Sequence, residues 1–200
     1  VWSVPAVTLP SQPVVRHEQV PGKSQSDLVL GVLGMVRYTT DYYPAVAANT
    51  ILGSLGLMGR LGEVVRDQQG LAYYASSHLQ PERGNHPWYV YAGVNMSNLD
   101  QAVRSIHGEL ERMRQELVMP EELADCQTYL VGALPLHLES NSGVGHFLLN
   151  IEEYGLGLDY ITRYPDLVRS VTREQIRSVM QRYWPPERYV LAVAGTLSQS

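Results

Sequence analysis

Leu99, Val103, Ile106, Leu110, Met113 and Leu117 recur at spacings of 4, 3, 4, 3 and 4, which draws one apolar stripe along a long helix. The next helix opens at Pro120-Glu121-Glu122, with proline in the first turn and acids facing the positive end of the dipole. Leu123, Cys126, Leu130 and Leu134 give that helix its predicted buried face. A further helix is expected from about Asn141 to Glu153, with Val144, Phe147, Leu148 and Ile151 inward, and a short one from Leu158 to Tyr164. Thr172-Arg173-Glu174-Gln175 has the spacing of a capping box and starts a helix carrying Ile176, Val179, Met180 and Tyr183.

The first half reads differently. Asp27–Met35 is a continuous apolar run that predicts a buried strand. Tyr42–Leu52 is alanine-rich and helical in character, with Pro44 tolerated in the first turn. A second helix is expected from about Arg60 to Gln69, stopped by Gly70. Leu71–Leu79 and Trp88–Met96 are rich in strand formers and flank the turn-like cluster Gln80–Asn85, a hairpin with a long loop. Arg188–Ala194 is a last strand. Strands adjoining as a hairpin beside blocks of helices give an α+β protein, not a regular βαβ series. Residues 1–22, with Pro5, Pro10, Pro13 and Pro21, read as an extended arm or linker, and residues 23–200 as one domain. The start at Val1 reads as the cut end of a piece from a longer protein.

Composition narrows the chemistry. The 200 residues are 44% hydrophobic and 18% charged, a globular balance that folds without disulfides. A net charge of −5 argues against a nucleic-acid surface. The single Cys126 forbids an internal disulfide or a multi-cysteine metal site, and on an apolar stripe it reads as a buried, inert thiol. No run approaches a membrane span. The one lysine, Lys23, stands against fourteen arginines, a bias that hints at a GC-rich or heat-adapted bacterial source; the compartment, cytoplasm or periplasm, does not follow.

The six histidines include no pair at i, i+4, so H-E-x-x-H and H-x-x-E-H are both absent and no metal site is expected in this chain. Gly53, Gly56, Gly59 and Gly62 recur every third residue, but without the P-loop pattern. Each would cost about 1 kcal/mol inside a helix, so this backbone is mobile or approaches something closely. Arg66 falls in the last turn before Gly70, and Tyr73 is the third residue of the strand that follows. Such a corner can bring fixed guanidinium donors and a phenol to one side of a sheet edge, where they suit a carbonyl or a developing oxyanion. The competing reading is an exposed arginine and a half-buried strand tyrosine.

The string ILGSLGLMGRLGEVVRDQQGLAYYASS (Ile51–Ser77) resembles the second-domain signature of the insulinase/pitrilysin family of zinc peptidases, which includes the mitochondrial processing peptidases. That signature has a glycine-rich loop, an S-R-L-type helix start and an E-x-x-R-x-x-x-G-L-A-Y corner. KSQSDLVLG (Lys23–Gly31), YLVGALPLHLES (Tyr129–Ser140), YGLGLDYITRYPDLVRSVT (Tyr154–Thr172) and RYVLAVAG (Arg188–Gly195) resemble other parts of the same domain, in order. The resemblance implies a mostly antiparallel sheet covered on one face by helices. It implies zinc on an H-x-x-E-H helix of another domain or subunit, a homo- or heterodimer, and an extended peptide substrate. Arg66 and Tyr73 match the pair that reaches the substrate and stabilises the tetrahedral intermediate. Gly53, Gly56 and Gly59 match the loop that lines the substrate chamber, although Met58-Gly59 stands where Ser-Ser is usual before Arg-Leu. Two other functions fit the same resemblance: a non-catalytic structural or assembly subunit, and a peptide-binding module without chemistry.

Overall fold

In the computed structural model, residues 7–55 and 58–196 are described. Among them the strands are β1 (Val14–Gln19), β2 (Ser26–Leu33), β3 (Ala72–Leu79), β4 (Pro87–Val94) and β5 (Val190–Gly195), in the spatial order β1-β5-β2-β4-β3. Only the β1–β5 pair is parallel; β5–β2, β2–β4 and β4–β3 are antiparallel. The helices are α1 (Tyr42–Asn49), α2 (Leu99–Gln115), α3 (Pro120–His137), α4 (Asn141–Tyr154), α5 (Tyr160–Arg169) and α6 (Arg173–Tyr183).

One sheet face is apolar and covered. Leu28, Leu30 and Val32 of β2, Trp88, Val90 and Ala92 of β4, and Leu191 and Val193 of β5 are all buried, as period-2 alternation requires. Against them pack Ala45, Ala47 and Ala48 of α1, Ile106 and Met113 of α2, and Ile176, Val179 and Met180 of α6. Trp88 is fully buried, stands edge-on to Trp184 at 5.7 Å, and donates its indole N–H to Asn49 Oδ1 at 2.9 Å. The opposite face is open. It carries a row of aromatics in which Tyr74–Tyr91, Tyr91–Tyr89 and Tyr89–His78 lie 5.8, 6.0 and 5.1 Å apart between ring centres.

Several expectations change. The stretch read as an unpacked arm supplies β1, which pairs with β5 along its whole length, so the sheet begins inside residues 1–22. Backbone pairing needs no apolar face, and β1 has almost none; that is why no pattern announced it. On α4 only Ile151 is buried, while Val144 and Leu148 are exposed, so the inward face predicted there is mostly outward. The α2 stripe holds at Leu99, Ile106, Leu110 and Met113, but it also buries Glu109. Leu130 and Leu134 are half-buried, leaving Leu123 and Cys126 as the seated residues of α3. The capping box forms as read, with Gln175 N–H donating to Thr172 Oγ1 and Thr172 N–H to Gln175 Oε1.

Candidate functional site

The site is built where α1 ends. After Asn49 the helix widens into a π-helical segment, Thr50–Ser54. A widened turn leaves carbonyls free of their usual partners, and Asn49 O here accepts Ser77 Oγ of β3 at 2.9 Å. That contact brings the segment down onto the strand. A Cβ on Gly53 would lie 2.9 Å from Ser77 N, and one on Gly59 would lie 2.7 Å from Gly53 Cα. Gly53 and Gly59 are therefore glycines because backbone meets backbone. Both are buried, and Gly56 lies outside the described residues. The exposed groups nearby are Ser54 and Met58, the latter 85% exposed.

Arg60 anchors the far side of this loop. Its Nε and Nη2 donate to Glu122 Oε1 and Oε2 at 2.7 and 2.8 Å, a bidentate pair with α3. Glu122 also accepts Met119 N–H at 2.7 Å, closing the cap of α3. Burial by itself would raise the Glu122 pKa, but the Arg60 and Met119 hydrogen bonds outweigh it and hold the carboxyl below its ordinary value. Sequence reading passed over this pair because its partners are 62 residues apart and carry no motif.

From Arg60 the chain continues helically into a second π-helical segment, Gly62–Gln68, which carries Arg66 half-buried in its last turn. Gly70, at φ +61°, donates to Arg66 O at 2.9 Å, and Leu71 N–H to Val65 O at 3.0 Å. A left-handed glycine at this point ends the helix and turns the chain into β3 within three residues.

The strand then breaks its own alternation. Ala72 pairs with Val94 and Tyr74 with Gly93, so Tyr73 is an extra, bulged residue. Ala75 and Ser77 face inward and Tyr74 outward; unbroken period-2 alternation would turn Tyr73 inward. The bulge instead leaves Tyr73 63% exposed while Ala72 stays buried. Neither Arg66 nor Tyr73 has a side-chain hydrogen bond or ion pair among the described residues. The one sequence hint of a bulge was the pair of consecutive tyrosines.

Tyr74 pins the bulge. Its ring crosses β4 over Gly93, and its hydroxyl donates to Asp27 Oδ1 of β2 at 2.6 Å. Burial and the Asp27 carboxylate together push its pKa up to about 12. Asp27 is held low by its Lys23 and Tyr74 hydrogen bonds. A Cβ on Gly93 would lie 2.1 Å from Gln25 Nε2 and 2.5 Å from Tyr74 Cε1, so Gly93→Ala displaces both side chains. The expected cost is about 1–3 kcal/mol in thermal denaturation. It should shrink in a Tyr74→Ala background, where only the flexible Gln25 side chain is left to displace.

Among the described residues no three His, Cys, Asp or Glu side chains are grouped to hold a metal ion.

A five-stranded, mostly antiparallel sheet with helices on one face defines the class: an α+β domain. Residues 2–130 match the family described as the peptidase M16 inactive domain, and the chain belongs to that family. It is similar to an uncharacterized zinc protease, YmxG, of Bacillus subtilis, at 27% identity over 59% of this chain and 29% of that protein. A probable inactive metalloprotease of the same organism, YmfF, is 23% identical over 82% of this chain and 39% of its own length. A crystal structure of a peptidase M16 inactive domain from Pseudomonas fluorescens superposes with a TM-score of 0.89, at 24% identity, over 100% of this chain and 47% of that one. The chain thus spans less than half the length of these relatives.

Proposed function

We propose that this chain is the substrate-clamping domain of an M16 peptidase and contributes Arg66 and Tyr73 to peptide hydrolysis at a zinc site held by another domain or subunit. The observation that carries the reading is the bulge. It exposes Tyr73 directly after the glycine-stopped turn that holds Arg66, and both side chains lack partners among the described residues. A strand bulged to expose one unpartnered phenol is what donating to something outside the chain requires. The guanidinium offers fixed donors to a peptide carbonyl, and the phenol offers one more as negative charge develops on that oxygen. The loop flanking buried Gly53 and Gly59 would border the peptide through Ser54 and Met58.

Hydrolysis of an unfolded peptide is expected only when a polypeptide carrying H-x-x-E-H is present with this chain; zinc content and cleavage by mass spectrometry measure it. Cleavage by this chain alone, or a stoichiometric zinc in it, would sink the proposal. The competing reading, a non-catalytic assembly subunit, draws support from the relative described as a probable inactive metalloprotease. It predicts stable association with the partner and cleavage that Arg66→Ala leaves unchanged.

A further inference from the structure

A cleft of about 710 Å³ opens at the other end of β3, between the Gln80–Glu82 connection and helices α1, α3, α4 and α5. Six residues of strand, roughly 20 Å, separate it from Tyr73. Its volume lies within the usual range of small-ligand sites, about 300–1,000 Å³. Val46, Leu130, Leu134 and Phe147 supply apolar lining, and Phe147 stacks on Tyr160, one of the tyrosines around Arg37.

Arg37 is a cation with no acid. Its guanidinium carbon lies 3.3 Å from the centre of the Tyr42 ring and within 5.8 Å of Tyr43 and Tyr154. Its Nη2 donates to Tyr160 Oη at 3.3 Å, and no carboxylate pairs with it among the described residues. The hydroxyls around it have protons to spare. Tyr43 and Tyr160 share one hydrogen bond of 3.0 Å, which uses one of their two protons. The Tyr42 hydroxyl has no partner among the described residues. Burial raises the pKa of Tyr42 and Tyr160, so both remain donors at neutral pH.

The two carboxylates of the cleft are already engaged. Glu153 pairs with Arg83 at 3.2 Å; Glu82 lies 3.1 Å from His86 Nε2 and accepts Gln80 Nε2 at 2.9 Å. A set of free donors around one uncompensated cation selects an anion, and the aromatic faces that would cage an amine are occupied by Arg37 itself. A single guanidinium matches a singly charged carboxylate better than a phosphate, and the adjoining apolar lining asks for an apolar group beside it.

We propose that this cleft binds the C-terminal carboxylate of a short peptide with an apolar last residue, with Arg37 as its cation and Tyr42 and Tyr160 as further donors. Only the choice of a peptide as the source of the carboxylate rests on the peptidase reading.

The test is isothermal titration of the full chain with N-acetyl-Ala-Phe, its C-terminal amide, and 3-phenylpropionate. The free peptide acid should bind about tenfold or more tighter than the amide. Arg37→Gln should erase that difference. Because this variant could also loosen the tyrosine cluster, Ala133→Trp blocks the cleft from α3 and should abolish binding with the melting temperature unchanged. Tyr73→Phe should bind the acid as wild type does, which separates this proposal from the clamping role. No binding, equal binding of acid and amide, or binding that survives both cleft variants overturns it. Equally tight binding of 3-phenylpropionate overturns the peptide as the source.

Discussion

Tyr73→Phe is expected to lower peptide turnover about 10²–10³-fold in the assembled peptidase while leaving the fold untouched. The substitution removes one oxygen and its proton. That oxygen has no partner among the described residues, and the ring is largely in solvent, so nothing buried there is orphaned by its loss. An exposed change of this kind alters stability by no more than about 0.5 kcal/mol. A donor aimed at developing charge is worth far more, about 10²–10³ in rate. If Tyr73 acts only as charge develops, kcat and kcat/KM should fall together; a rise in KM alone would assign it to ground-state binding. Unchanged kinetics in an assembly of confirmed zinc content would remove Tyr73 from the chemistry and leave the assembly-subunit reading in its place. Measuring melting temperature on the same preparation separates a catalytic loss from a damaged corner.

How far this corner could be read from the residues depends on what each feature needs. Gly70 was legible as a helix stop because a left-handed turn leaves a sequence mark. The Arg66 and Tyr73 positions were legible through their spacing around it. The bulge was not, since it depends on register against β4, and register is set by Gly93 and Asp27, residues 20 and 46 positions away. Strand β2 was visible because both its faces are rich in apolar residues; β1 was invisible because it pairs through its backbone with β5 and has almost no apolar face. The third-residue glycines were seen, but their cause was open. Ser77 N against Gly53 and Gly53 against Gly59 make that cause close backbone packing, with any peptide contact left to their exposed neighbours. The Arg37 cleft had no mark at all, because its lining comes from five separate stretches of chain.

Glu122→Ala should produce the largest loss of stability among the site residues. Arg60 keeps only 10% of its side chain exposed, and its Nη1 is already buried without a partner. Removing Glu122 leaves that charge uncompensated and opens the cap of α3 in the same step. Breaking a buried pair costs about 3–5 kcal/mol, and the partial exposure of Glu122 places this one near the lower end. About 3 kcal/mol corresponds to a fall of roughly 6–12 °C in melting temperature for a chain of this length. The pH dependence gives an independent check. The folded Glu122 pKa lies below its ordinary value of 4.5, so its contribution is fully present above that pH and is lost as pH falls through the lower, folded value. Glu122→Gln keeps the shape and drops the charge. Its deficit against wild type should be constant near neutrality and shrink below about pH 4. Parallel melting curves from pH 7 to pH 3 would show that the pair contributes shape and not charge. Arg60→Met in the Glu122→Ala background should recover most of the loss, since it removes the stranded cation. Turnover need not recover with it. The Arg60–Glu122 pair ties the start of the Arg66-bearing segment to α3, and a refolded corner without that tie presents Arg66 less firmly to a peptide.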